Sequence, residues 1–214
     1  MTFHKGNCDN VVEALTEEDQ RLNLTFENLD HIPPVLLNSF TSSIKILDLS
    51  HNCFSDLSFL SQFPNLKCLI LDHNRVNSST TFPTVPDLKV LWLNHNHIDR
   101  LFPFVQRLQD AFPHLEQLSL MANEAVPINI DDSTFYQHLQ YRLFVISWFS
   151  CLSHLDDEPV REDERQEAHR LYKRPLLERL ISHKSLNALI TRVNSAFSLI
   201  RSRNLSSKLK PAFV

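Results

Sequence analysis

Residues 87–98 read DLKVLWLNHNHI, and the same frame has already occurred twice, as SIKILDLSHNCF at 43–54 and NLKCLILDHNRV at 65–76. The stretches follow one another at steps of 22 residues. In each, two leucines flank a single residue, as in Leu47-Asp48-Leu49, and an asparagine closes the frame at Asn52, Asn74 and Asn96. A further copy, HLEQLSLMANEA, carries its asparagine at Asn123, and RLNLTFENL from Arg21 is a degenerate early copy. Leucines on either side of one residue describe a short strand with one buried face, because successive side chains alternate. A buried asparagine at the turn can bond backbone groups that a coil would leave unpaired. Pro64, Pro86 and Pro113 stand just before the incoming leucine, where no ladder donor is yet needed.

L-x-x-L-x-L-x-x-N at a fixed period is the pattern of leucine-rich repeats. No unit can bury its leucines alone, so the units must stack into a curved solenoid. The expected fold is α/β, a short leucine-rich-repeat solenoid of about five repeats with Asn52, Asn74, Asn96 and Asn123 as its structural asparagines.

The histidines need the same frame. LWLNHNHIDRL places His95 and His97 two residues apart with Asp99 nearby, which suggests metal ligation. Yet His51, His73 and His95 occupy one slot of consecutive units. Repetition explains the column as a solvated ladder with neighbours about 5 Å apart. Three imidazoles that close, assisted by His97, form the alternative, a zinc site. The expectation adopted is no metal and no cofactor.

Composition narrows the function. Of 214 residues 43% are hydrophobic, enough for a core. The net charge of −4 argues against a dedicated nucleic-acid binder. Gly6 is the only glycine, so no phosphate-cradling loop can be written. Cys8, Cys53, Cys68 and Cys151 form no CxxC pair. The polar start MTFHKGNCDN has no apolar signal core, and the apolar run Leu143 to Phe149 is too short for a transmembrane segment. A cytoplasmic protein with reduced thiols is expected, with the nucleus as the alternative; the N-x-S/T triplets at Asn23, Asn77 and Asn204 then go unused. Glu162, Asp163 and Glu164 are read as solvating and capping a charged surface helix. No nucleophile elbow is present, so no enzyme is expected.

The residues between the leucines point to the concave surface and read Asn23, Asp48, Ile70, Trp92 and Ser119. Ile70 beside Trp92 on an otherwise polar face suggests an interface anchor, unless loops or the C-terminal tail cover the pair. Lys45, Lys67 and Lys89 form a parallel basic stripe that could receive an acidic partner surface. The protein-binding concave face is therefore assigned to Asp48, Ile70, Trp92, His73, His95 and Lys89.

Beyond Asn123 the period lengthens. Asp131, Asp132 and Ser133 offer helix caps, and STFYQHLQYRLFVISWF predicts a helix with Phe135, Leu139, Leu143 and Ile146 on one face. Leu152 and Leu155 have the spacing of a further strand, and REDERQEAHRLYKR predicts a charged helix that stops before Pro175. The order Tyr141-Arg142, Phe144, Leu152, Leu155-Asp156, Val160, Glu164-Arg165 and Ala168 resembles the LRR cap that closes short intracellular leucine-rich-repeat proteins, such as the spliceosomal A-prime protein and the acidic leucine-rich nuclear phosphoproteins. Within that class FPHLEQLSLMANEAVP, YRLFVISWFSCLSHLD and REDERQEA are most similar to the branch associated with melanocyte differentiation. The likeness covers roughly residues 20 to 173. Ser150 and Cys151 replace the usual Leu-Pro before the capping strand, and Ala122 replaces an expected glycine.

That resemblance implies an adaptor in melanocyte differentiation or in melanosome and endosomal trafficking, peripheral to those membranes. It also implies a Rab-family small GTPase or a sorting complex as partner. The alternative it carries is a ribonucleoprotein scaffold. The tail LLERLISHKSLNALITRVNSAFSLIRSR sets Leu186, Leu189, Ile190, Val193, Ala196, Phe197 and Ile200 at helical spacing behind Pro175. Seven basic residues against Glu178 give residues 176–214 a charge of +6, which leaves −10 for the residues before them. Such a helix packs on the solenoid, touches a partner or lies on an acidic membrane. The expected organisation is a flexible arm over 1–17, repeats over 18–127, the cap over 128–174, a basic amphipathic helix over 175–203 and a flexible tail over 204–214.

Overall fold

The structure, a computed structural model, describes residues 15–16, 20–37, 41–127 and 132–172. The described elements are β1 (Leu15–Thr16), β2 (Arg21–Asn23), α1 (Pro34–Leu37), β3 (Ile46–Asp48), β4 (Cys68–Ile70), β5 (Val90–Trp92), α2 (Phe104–Ala111), β6 (Gln117–Ser119), α3 (Asp132–Trp148), β7 (His154–Leu155), β8 (Glu158–Pro159) and α4 (Glu162–Leu171). A 3-10 helix spans Ser58–Gln62. The strands form one sheet in chain order, parallel from β2 to β7 with an antiparallel strand at each end. The predicted arm, tail helix and terminal tail lie almost entirely outside the described residues, as do Asp131 and the side chains of Asp132 and Ser133 proposed as caps.

Register follows the repeat. Leu22, Leu47, Leu69, Leu91 and Leu118 stand side by side, and Leu155 of the closing strand joins them. All are buried, as are the second leucines Leu49, Leu71, Leu93 and Leu120. Phe54, Phe63, Phe104 and Phe112 fill the space behind the sheet. Burial of each such side chain stabilises by roughly 1.5–3 kcal/mol. β4, β5 and β6 are each approached through a tight turn in which the Leu66, Leu88 or Leu115 N–H donates to the carbonyl of Phe63, Val85 or Phe112. Pro64, Pro86 and Pro113 take the second turn position, which their fixed φ suits. Before β7 the Leu152 N–H closes the same turn on Phe149 across Ser150 and Cys151, so the turn forms without its proline.

The asparagines staple units together. Asn74 Oδ1 accepts from the Phe54 N–H at 2.9 Å, while its Nδ2 donates to the Leu49 carbonyl of the preceding unit at 2.9 Å. Asn52, Asn96 and Asn123 repeat this pair of bonds with Leu29 and Leu24, Val76 and Leu71, and Ile98 and Leu93. To aim these side chains inward the backbone turns left-handed one residue earlier, at His51, His73, His95 and Ala122, with φ of 58°, 54°, 53° and 56°. Cβ opposes that conformation, so each position stores about 1 kcal/mol of strain that glycine would avoid.

The capping region closes on a buried ion pair. Arg142 of α3 and Glu164 of α4 are 3% and 5% exposed, with Nε to Oε1 at 2.7 Å and Nη2 to Oε2 at 3.1 Å. Arg142 also donates to the carbonyls of Leu155 and Pro159, and the Arg161 N–H donates to Glu164. Burial alone would raise the Glu164 pKa; these bonds and the Arg142 and Arg161 charges outweigh it and hold it below the usual value. Glu164 thus caps α4 as expected, accepting the Arg161 N–H, but it does so buried and paired with Arg142 and is not solvated. Its neighbours Glu162 and Asp163 are exposed. The Tyr141 hydroxyl donates to Asp156 at 2.9 Å, and burial raises both their pKa values. Phe135 departs from its predicted face: Leu143 and Ile146 are buried, whereas Phe135 is exposed.

Candidate protein-binding surface

Two outward columns line the concave sheet. One is Asn23, Asp48, Ile70, Trp92 and Ser119; the other, two residues earlier, is Arg21, Ile46, Cys68, Val90 and Gln117. Ile70 is paired in register with Trp92, and Cys68 with Val90. Trp92 is 40% exposed. Ile46, Cys68, Ile70 and Val90 are half-buried around it, which makes an apolar island. Ile46, Cys68 and Val90 were missed from the sequence, although the alternation that selected Ile70 and Trp92 selects them too. Burial raises the Cys68 thiol pKa, so it behaves as a small apolar group.

Polar groups edge the island and are already bonded to one another. Arg21 meets Asp48 at 2.9 Å, and the Ser50 hydroxyl donates to Asp48 at 2.7 Å. Asp48 is buried and spent on these contacts, which places it as a border of the island. Along the next column the Asn94 N–H donates to Asp72 at 2.8 Å, and the Ser119 hydroxyl donates to Asn94 at 2.6 Å.

The histidines occupy the rim where the strands turn. The rings of Phe26, His51, His73 and His95 stack face to face, with successive centroids 4.0, 4.2 and 4.1 Å apart. Burial within the stack lowers the His73 pKa; neighbouring His95 and His51 add to this and Asp72 opposes it. Among the described residues no cluster of three His, Cys, Asp or Glu side chains could hold a metal ion. His97 lies 3.8 Å from Glu124 in an exposed contact.

Lys89 stands at the opposite rim. Two of the three lysines of the stripe are already paired, Lys67 with Asp87 and Lys89 with Glu116, both at 2.9 Å, while Lys45 is exposed. These carboxylates lie in the next turn, where the sequence pattern alone does not show them meeting the lysines. The six assigned residues therefore divide into Ile70 and Trp92 at the centre, Asp48 at the border, and His73, His95 and Lys89 on two rims. Among the described residues no helix is long and apolar enough to cross a membrane.

A search of curated proteins gives no match. A chain of the Drosophila melanogaster SNF/U2A' complex is similar in fold, with TM-score 0.54 and 22% identity over 77% of this chain and 87% of that one. A chain of the Chaetomium Mex67:Mtr2 subunits matches with TM-score 0.40 and 18% identity over 76% and 96%. The pattern of the family described as leucine-rich repeat matches residues 32–184, well over half of the sequence. With its parallel leucine ladder and its asparagine staples, this chain belongs to the leucine-rich-repeat family.

Proposed function

We propose that the chain is a non-enzymatic adaptor that binds a protein partner on its concave face. The observation that carries this reading is the apolar island of Trp92, Ile70, Ile46, Cys68 and Val90 within a sheet face whose polar groups are satisfied. An aromatic residue with an aliphatic surround and a bonded polar border has the anatomy of an interface hot spot. The finer reading rests on the resemblance in the repeats and cap: a Rab-type small GTPase or a sorting-complex subunit as partner, in melanocyte differentiation or melanosome and endosomal trafficking.

The second reading is a ribonucleoprotein scaffold. It is favoured by the fold likeness to a chain of the SNF/U2A' complex and by the +6 charge of residues 176–214. Affinity capture with mass spectrometry, on wild type and Trp92→Asp, separates the two. Trp92→Asp places a charge in the apolar island without touching the core. A small GTPase captured by wild type and lost with the variant supports the adaptor reading. Captures unchanged by Trp92→Asp refute the concave anchor. Ribonucleoproteins lost on removal of residues 176–214, with salt-dependent binding, favour the scaffold.

A further inference from the structure

The last two turns of α3 are largely apolar, with Arg142 and Ser147 as the polar residues. Tyr141, Leu143, Val145, Ile146 and Trp148 are buried and Phe144 is half-buried. A helix of that kind needs cover all round. The solenoid core covers one side and α4 another. The remaining side carries an aromatic row away from the concave sheet. Tyr172 meets Phe144 edge-on at 5.6 Å, Phe144 meets Trp148 edge-on at 6.2 Å, and Trp148 meets Phe102 at 6.4 Å. Phe102 is exposed. Trp148 is only 9% exposed, and its buried Nε1–H has no acceptor among the described residues. Buried indole N–H groups are ordinarily bonded, so among the described residues this side of α3 lacks an oxygen-bearing neighbour, and its row ends on an exposed ring at Phe102.

The chain itself leads there. Tyr172, the last described residue, is the first ring of the row. Three residues on, Pro175 suits the first position of a helix, and Leu176, Leu177, Leu180 and Ile181 then fall on one face. The row is at most about 18 Å long, which about twelve helical residues span at their usual rise. The charge of +6 over residues 176–214 is opposite to the −10 of the residues before them.

We propose that residues 176–187 dock as a helix along the Tyr172–Phe144–Trp148–Phe102 row and supply the acceptor for the Trp148 indole N–H. The tail then completes the cap from within the same chain. This surface is separate from the concave island, so its test stands apart from the adaptor reading.

The chain has two tryptophans, so in full-length Trp92→Phe the remaining signal belongs to Trp148. Indole hydrogen exchange and acrylamide quenching are read with and without the added pair Leu180→Asp and Ile181→Asp. Docking predicts exchange at least about tenfold faster and quenching about threefold stronger with the pair, while cooperative unfolding persists. Unchanged exchange and quenching overturn the proposal. If the substituted chain fails to fold, methyl-labelled wild type decides. Overhauser contacts between the Trp148 or Phe144 rings and the methyls of Leu177, Leu180 or Ile181 establish docking, and their absence refutes it. Protection of Trp148 that arises only on adding phosphatidylserine vesicles also overturns it, because the row then faces lipid.

Discussion

Truncating Asn74 to alanine tests the physical account of the repeat most directly. Four bonds disappear: the Phe54 N–H to Oδ1, and those from Nδ2 to the carbonyls of Leu49, Leu71 and Asp72. The carbonyls are not orphaned. Leu49 still receives Asn52, Leu71 still receives Asn96, and Asp72 still receives the His51 N–H. The Phe54 N–H, which is buried, is left without a partner. One orphaned buried donor costs about 1–3 kcal/mol, and each satisfied bond lost has a net worth of about 1 kcal/mol at most. Allowing that the three Nδ2 bonds share one group, the expected loss is about 3 kcal/mol, a large part of a typical folding stability of about 5–15 kcal/mol. Urea titration should show a lower midpoint with an unchanged slope. Asn74→Asp sharpens the test. The introduced carboxylate keeps the Phe54 bond but faces three carbonyls, so at pH 7 it should be no more stable than the alanine variant. Its folded pKa is raised, so its deficit should shrink as pH falls through that value towards the unfolded one. An alanine variant within about 1 kcal/mol of wild type, or an aspartate variant as stable as wild type at pH 7, refutes the role given to the asparagine.

Further outcomes follow from the same structure. Ala122→Gly, at φ 56°, should stabilise by about 1 kcal/mol and raise Tm by about 2–4 °C in calorimetry. Glu164→Ala should cost about 3–5 kcal/mol by leaving Arg142 buried and unpaired, whereas Arg142→Met combined with Glu164→Leu should recover most of that loss in chemical denaturation. Because the folded pKa of Glu164 is depressed, the pair's contribution is fully present above the ordinary glutamate range and is lost as pH falls through the folded value. The folded pKa of His73 is depressed too, but here the neutral form is favoured. Stability should fall as pH drops below about 6.5, and His73→Asn, which tolerates the left-handed turn, should flatten that slope in Tm measured between pH 5 and 8.

The concave surface was only partly legible. Alternation identified Ile70 and Trp92, and the paired strands place them side by side. The same rule applied one column over would have found Ile46, Cys68 and Val90. The histidine column was legible as a slot but not as a stack, because ring geometry depends on a left-handed backbone that residues other than glycine rarely adopt. Lysine spacing suggested a basic stripe, yet Lys67 and Lys89 each find a carboxylate in the following turn. Glu164 looked like any acid on a charged helix, and its burial depends on Arg142, 22 residues away on another helix.

What the sequence determined by itself is the solenoid: strand positions, their parallel order, the buried leucines and the stapling asparagines. Each repeat touches little beyond its neighbours, so a local pattern repeated along the chain dictates the global shape. The tertiary structure alone decided how the cap closes on the last repeat. The Arg142–Glu164 pair, the Tyr141–Asp156 bond and the row from Tyr172 to Phe102 join residues from non-repeating elements. Their charges and rings acquire partners only once helices and loops have packed against the last leucines, and no periodicity in the chain encodes that meeting.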